Sequence, residues 1–259
     1  MIDIHCHILP GIDDGPADLG EALALARAAV ASGTSAIVAT PHVSWDYPGN
    51  TAAAIVEGAR LLKTALAHEQ IPLELYTGGE IAMTRAAELT QAELVNLRLG
   101  GPAGSHLLVE CPLSPTAAGF ETLLGLLRSR GHEIVLAHPE RCPAFQRNPE
   151  AYERLIAQGM LGQVTAGSLV GRFGRLVQEF GDRLVREGLA QIIASDAHSA
   201  EQRRPSIRAE LVAAGYGEQA LWLGREVPDA VLTGKPLPPA PAMPEPRPRG
   251  LKKLLRGSR

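Results

Sequence analysis

The chain has 259 residues, 45% hydrophobic and 20% charged, with a formal net charge of −3, which is length enough for one large domain or two small ones. That mildly acidic balance excludes nucleic acid as the main partner, because phosphate binding draws on a basic excess, and no run reaches the roughly 18 apolar residues of a membrane span. The opening MIDIHCHILPG lacks the basic start and apolar core of a secretory signal, and three cysteines without a close pair make no disulfide framework, so a cytoplasmic location is expected.

In chain order, short apolar runs predict strands at residues 2–5, 35–39, 73–77, 106–110, 133–137, 161–165 and 191–194. Segments with apolar residues at three- and four-residue spacing predict helices at about 18–32, 51–69, 116–130, 149–158 and 169–187. Asp18 and Thr116 are expected N-caps, and Gly33, Gly131, Gly159 and Gly188 fall where helices should end. The result is a repeating βα pattern with near-continuous apolar strands, the mark of a parallel sheet buried on both faces. About seven such units suit a barrel, and a doubly wound open sheet has the same local pattern.

From residue 235 the character changes. Residues 235–249 are dense in proline and exclude regular helix or a central strand, and a basic end, RGLKKLLRGSR, follows. The last 24 residues carry net +5, so residues 1–235 carry −8. The expected division is a domain over 1–234 and a flexible basic tail over 235–259. In that tail Leu251, Leu254 and Leu255 alternate with Lys252, Lys253 and Arg256, a pattern suited to transient contact with an anionic membrane or partner but too short to anchor alone.

Six of the seven predicted strands finish in His, Glu or Asp. The first ends in His5-Cys6-His7, the second in Thr40-Pro41-His42, the third in Gly78-Gly79-Glu80 and the fourth in Glu110. The fifth gives His138-Pro139-Glu140-Arg141 and the seventh Asp196-Ala197-His198. In a parallel α/β fold these ends share the face that carries active sites. His5 and His7, like Asp196 and His198, are two residues apart, so on extended chain each pair points one way. His106 and His132 precede their strands and His68 lies near a helix end, which places these three elsewhere.

Five histidines and several carboxylates at one face need a counter-charge, which metal ions supply. Imidazole and carboxylate without thiolate suit Mn, Fe, Zn or Mg, and the ligands are too many for one ion. Two or three ions sharing a carboxylate form a site suited to phosphoester hydrolysis. A cysteine-based phosphatase is excluded, since the residues six after Cys6, Cys111 and Cys142 are Ile12, Ala117 and Asn148 rather than Arg. No GxxxxGK[ST] or GxGxxG loop occurs.

The ordered set HxH, TPH, GGE, Glu110, AHPER and SDAH resembles the polymerase-and-histidinol-phosphatase (PHP) superfamily of metal-dependent phosphoesterases. The fuller opening, IDIHCHILPGIDDGP, resembles that superfamily's bacterial capsule and exopolysaccharide tyrosine-protein phosphatases, which act on bacterial tyrosine kinases. The resemblance runs from Met1 to about Pro205. It implies a distorted (β/α)7 barrel of the PHP type, with the active site at the C-terminal strand ends and up to three metals, commonly manganese.

By motif, His5, His7, Glu80 and Asp196 would hold a first metal. Glu80 would bridge to a second, also held by Glu110 and His138, and Asp14, His42 and His198 would hold a third. Asp13 is the less favoured neighbour of Asp14. Arg141 resembles the family's phosphate-contacting Arg, and of Arg203 and Arg204 the second is preferred as a further phosphate contact because it precedes Pro205. Asp196 and His198 are the residues best placed for proton transfer. Many members read TPHH, whereas Val43 follows His42 here, so a side chain able to act on substrate or leaving group is missing. Trp45 and Tyr47 on the next loop suit the mouth of a site for an aromatic phosphoester.

The implied reaction is hydrolysis of phosphotyrosine, on a bacterial tyrosine kinase or a related capsule regulator, by in-line attack of a metal-bridging hydroxide. The alternatives are a phosphatase of a small monoester such as histidinol phosphate, a phosphodiesterase, and a noncatalytic module with structural metals.

Overall fold

The computed structural model describes residues 1–245. It alternates strands and helices: β1 (Ile2–Cys6), α1 (Leu19–Ala31), β2 (Ala36–Ala39), β3 (His42–Val43), α2 (Ala52–His68), β4 (Glu74–Thr77), β5 (Glu80–Ile81), α3 (Met83–Ala86) and α4 (Gln91–Asn96). Then come β6 (His106–Glu110), α5 (Phe120–Ser129), β7 (Glu133–Ala137), α6 (Pro143–Arg147), α7 (Pro149–Ala157), β8 (Leu161–Thr165), α8 (Ala166–Leu169), α9 (Arg175–Arg186), β9 (Ile192–Ala194), α10 (Arg208–Ala214) and α11 (Val227–Thr233).

Every strand pair is parallel. One ladder runs β1-β2-β4 and the other β3-β5-β6-β7-β8-β9. The two join because β3 continues the path of β2 beyond Thr40-Pro41, and β5 that of β4 beyond Gly78-Gly79. Pro41 has no N–H to give a ladder, but its carbonyl still accepts from Glu80 N at 3.0 Å. The seam closes where Cys6 bridges Ala197, with Asp196 N donating to His5 O and His7 N to Ala197 O, each at 2.9 Å. This is the distorted seven-stranded barrel that the motifs imply. β2, β8 and β9 are buried at every residue, as expected for strands covered on both faces.

The caps show why the helices start where they do. Asp18 accepts from Glu21 N at 3.0 Å to open α1, and Thr51 accepts from Ala54 N at 3.2 Å to open α2. Thr116 does not cap α5. Gly119 takes a left-handed φ of 78° and the helix begins at the buried Phe120. The helix expected over 169–187 begins only at Arg175, because Gly171 and Gly174, with φ of 85° and 90°, separate α9 from the end of α8 at Leu169. Two strands, β3 and β5, were not anticipated, since two residues give no periodicity.

After α11 the proline-rich stretch forms no regular element as far as Glu245, yet it lies against the body. Trp222 Nε1 donates to Pro238 O at 3.2 Å, Gln219 Nε2 to Ala242 O at 2.7 Å, and Arg186 Nη1 to Pro244 O and Glu245 O at 2.7 Å. The first eleven residues of the expected tail are therefore fastened to the barrel. The basic stretch with Leu251, Leu254 and Leu255 lies outside the described residues. No helix among the described residues is long and apolar enough to cross a membrane.

Candidate metal centre

The C-terminal strand ends bring all nine ligand-type residues together. Four overlapping groups have their ligand atoms within 4.8 Å of one another: His7, Asp14, His42 and His198; His5, Glu80 and His138; His5, His7 and Asp196; and His42, Glu80 and Glu110. Glu80 belongs to two groups, and its Oε1 lies 2.7 Å from His138 Nε2. Its Oε2 lies 3.0 Å from His42 Nδ1, 3.3 Å from His7 Nε2 and 3.4 Å from His5 Nε2. His198 Nε2 and His42 Nε2 approach Asp14 Oδ1 at 3.2 and 3.4 Å.

The chain places these atoms by local means. Along β1 and its extension His5 and His7 face the centre, while Cys6 turns away and its N–H donates to Thr40 Oγ1 at 2.9 Å. Gly79 lets Glu80 approach, because a Cβ at position 79 would lie 2.8 Å from Leu97 Cδ2 and 3.0 Å from Val43 Cγ2. His138 and Asp196 follow β7 and β9 with φ of 37° and 51°. Left-handed backbone at two non-glycine, candidate-ligand positions is strain of the kind concentrated at functional sites.

A further ring of residues aims the imidazoles. His5 Nδ1–H donates to Gln163 Oε1 and His7 Nδ1–H to Asp13 Oδ2, both at 2.8 Å, while His198 Nδ1–H donates to Asp196 O at 3.0 Å. Each bond leaves Nε2 as the nitrogen facing the centre, the outer support typical of metal-binding histidines. Beneath them the buried Asp3 accepts from Ser195 N at 3.0 Å and from Ser195 Oγ at 2.5 Å, tying β1 to the end of β9. Gln163 and Asp3 were not singled out from sequence. Gln163 lies mid-strand in the one run that ends without a ligand-type residue, and Asp3 precedes the HxH motif by two.

The electrostatics fit a cation site. Burial opposes ionisation of Glu80 and Asp196, yet His5 beside both, with Arg203 and Arg141 on Asp196, holds their pKa values well below the usual carboxylate range. Burial likewise opposes protonation of His42, but the Asp14 and Glu80 carboxylates close to its ring push it up to about 11. For His7, Asp13 and Glu80 outweigh burial and raise it to about 9. Burial, with Glu80 nearby, pushes Glu110 up to about 7. Glu80 Oε2 and His198 Nε2 are buried without a hydrogen-bond partner. Lone pairs crowded on one point, with oxygen and imidazole donors only, suit divalent cations of the Mn, Fe, Zn or Mg type.

Two arginines reach the same atom, since Arg141 Nη1 and Arg203 Nη2 each donate to Asp196 Oδ2 at 2.6 Å. The preference for Arg204 is corrected here. Its side chain is exposed, with Glu210 as its charge neighbour, whereas the turn after His198 directs Arg203 inward. The turn achieves this because Arg203 O accepts from His198 N at 3.0 Å. Val43 also differs from expectation. It is 1% exposed and packs toward Gly79, on the face of β3 opposite His42, so position 43 contributes to the core rather than the site. His68, His106 and His132 stay apart: His68 is exposed, His106 pairs with Ser105, and His132 accepts from Arg98 Nε at 3.1 Å.

Known proteins carry the same pattern. Residues 1–222 match the family described as capsular polysaccharide synthesis, CpsB/CapC. The chain is 39% identical over 203 residues to the tyrosine-protein phosphatase YwqE of Bacillus subtilis, covering 78% of this chain and 79% of that one. It is 34% identical over 204 residues to the putative tyrosine-protein phosphatase CapC of Staphylococcus aureus, with the same coverage. A solved structure from work on YwqE of Bacillus subtilis and CpsB of Streptococcus pneumoniae, described as metal-dependent tyrosine phosphatases, superposes with a TM-score of 0.84 at 34% identity. That match covers 95% of this chain and all of the other.

Proposed function

The chain belongs to the CpsB/CapC family of capsular polysaccharide synthesis, and on that premise we propose that it is a metal-dependent protein-tyrosine phosphatase, a phosphoric monoester hydrolase. The observation that carries this reading is the shared position of Glu80 between groups of ligand atoms lying within 4.8 Å of one another, with two guanidiniums beside them. Its substrate is phosphotyrosine on a bacterial tyrosine kinase or a related capsule regulator, in the cytoplasm.

His5, His7, Glu80 and Asp196 would hold one ion, Glu80 with Glu110 and His138 would hold a second, and Asp14, His42 and His198 would hold a third, with manganese the favoured metal. Such ions supply Lewis acidity, activating water at neutral pH and neutralising phosphoryl charge. Arg141 and Arg203 bind the equatorial phosphoryl oxygens through charge-assisted hydrogen bonds. Asp196 and His198 orient the attacking water, His198 being fixed by its bond to Asp196 O. A phenolate leaves with a pKa of about 10, so the tyrosyl oxygen needs less protonation than an alkoxide.

The cysteines take no part. Burial lifts the Cys6 and Cys111 thiols well above their ordinary range and raises that of Cys142, which leaves no thiolate nucleophile.

The test is a parallel assay of a phosphotyrosine peptide, histidinol phosphate and a phosphodiester, with added Mn and with chelator. Preference for the peptide, abolished by chelator and restored by metal, is the expected result. A preference for histidinol phosphate would overturn the substrate, and activity indifferent to chelator would overturn the metal mechanism.

A further inference from the structure

The centre is open on one side only. His5, His7, Glu80, His138 and Asp196 are at most 2% exposed, whereas the side chains of His42, Asp14, Arg203 and Arg141 are 20%, 46%, 34% and 18% exposed. A substrate therefore reaches the cluster over these four residues. The loop after β3 stands at that opening, and it holds two of the aromatic residues in a chain that has only 4% of them.

Tyr47 lies over His42, with ring centroids 5.7 Å apart and planes within 3° of parallel. It is half-buried, and burial together with the nearby Asp14 and Asp13 raises its phenol pKa. The loop is held from beneath by Asn50, itself 6% exposed, whose Nδ2 donates to His42 O at 2.9 Å and whose N–H donates to Tyr47 O at 3.0 Å. Trp45 is 52% exposed and its ring carries the Arg85 guanidinium at 4.4 Å, so that aromatic face is already engaged. On the far side Phe173 is covered in the same way by Arg141 at 4.8 Å. Tyr47 is the aromatic residue at the opening that is stacked on a ligand-type side chain rather than covered by an arginine.

We propose that Tyr47 is a specificity-determining residue, and that its ring, backed by His42, is the wall against which an aryl phosphomonoester lays its aromatic ring. This inference rests on the phosphatase reading and adds to it the discrimination between aryl and alkyl esters. Aromatic rings prefer offset or tilted contact with one another, and an alkyl ester offers no such face. The arginines recognise the phosphoryl group alone and treat both esters alike.

The experiment measures kcat and KM of the Mn-loaded enzyme for a phosphotyrosine peptide, phenyl phosphate and glycerol phosphate, in the wild type, Tyr47→Leu and Tyr47→Phe. Metal content is measured for each protein, and binding of phenylphosphonate and methylphosphonate is measured by calorimetry. Tyr47→Leu is expected to raise KM for the aryl esters and to lower the aryl-to-alkyl ratio of kcat/KM by roughly three- to tenfold. The phosphonate affinity ratio should fall by the same factor, and Tyr47→Phe should retain both ratios. Unchanged ratios in Tyr47→Leu would overturn the proposal, and so would a loss of bound metal that accounts for the change. A wild type that prefers glycerol phosphate would instead overturn the tyrosine-phosphatase reading on which the proposal stands.

Discussion

Gln163 Oε1 lies 2.8 Å from His5 Nδ1, and both side chains are fully buried. The bond selects the tautomer whose Nε2 faces Glu80 and Asp196, at 3.4 and 3.5 Å. Gln163→Leu removes the acceptor while keeping similar bulk. Metal affinity should fall roughly 10- to 100-fold, as read by competition with a chromophoric chelator. Affinity within about twofold of the wild type would deny Gln163 a positioning role.

Glu80 is the carboxylate shared between two of the groups, alongside the shared imidazoles of His5, His7 and His42, so Glu80→Gln should do more damage than any outer change. The expected losses are more than about 100-fold in turnover at saturating metal, beyond the scale of an outer support, and at least one bound ion by elemental analysis. Full metal content with near-normal turnover would break the bridging assignment.

Arg203 and Arg204 are neighbours in sequence with different surroundings. Arg203→Ala should cut kcat/KM for a phosphotyrosine peptide roughly 100-fold, about 2.7 kcal/mol of transition-state stabilisation. Arg204→Ala should stay within about twofold, as exposed substitutions generally do. Equal effects would return the assignment to where the sequence alone leaves it.

Glu140 gives a pH signature to the metal-free protein. It is fully buried, which pushes its pKa up to about 7 against the opposing bonds from Ser168 Oγ at 2.7 Å and Thr165 N at 3.1 Å. An unfolded Glu titrates near about 4.3. The folded state therefore keeps the proton between these values, and Glu140's contribution is complete below about 4.3 and lost as pH rises through about 7. Its size is on the order of 4 kcal/mol. His138, which burial and Arg141 bring down to about 4, acts in the opposite direction, but it is present in both proteins when wild type is compared with Glu140→Gln. The melting temperature of the variant under chelator should gain on the wild type between pH 5 and 8. A constant gap would show that Glu140 does not titrate in that window.

The candidate ligands were legible because a parallel barrel sends every strand end to one face, so position in the chain stands in for position in space. Alternation along extended chain likewise separates His5 and His7 from Cys6. What the sequence could not show was the direction of side chains on irregular backbone. Arg203 and Arg204 differ only in how the turn after His198 folds back, and Val43 faces inward because β3 pairs with β5, a two-residue ladder without periodicity. Gln163 escaped notice because an amide in a buried strand has no motif, and its role depends on a contact with residue 5. Thr116 reads as the start of α5 because the left-handed turn at Gly119, from which the helix begins, is not visible in the apolar spacing.

The closing seam of the barrel has a consequence for biogenesis. His5 and His7 leave the ribosome early, but their partners across the seam, Asp196 and Ala197, are synthesised some 190 residues later. A nascent chain lacking those residues has neither the complete ligand shell nor the hydrogen bonds that close the barrel around it. Assembly of the candidate centre is therefore tied to synthesis through His198, and chains truncated before Asp196 lack the last two of its ligand-type residues.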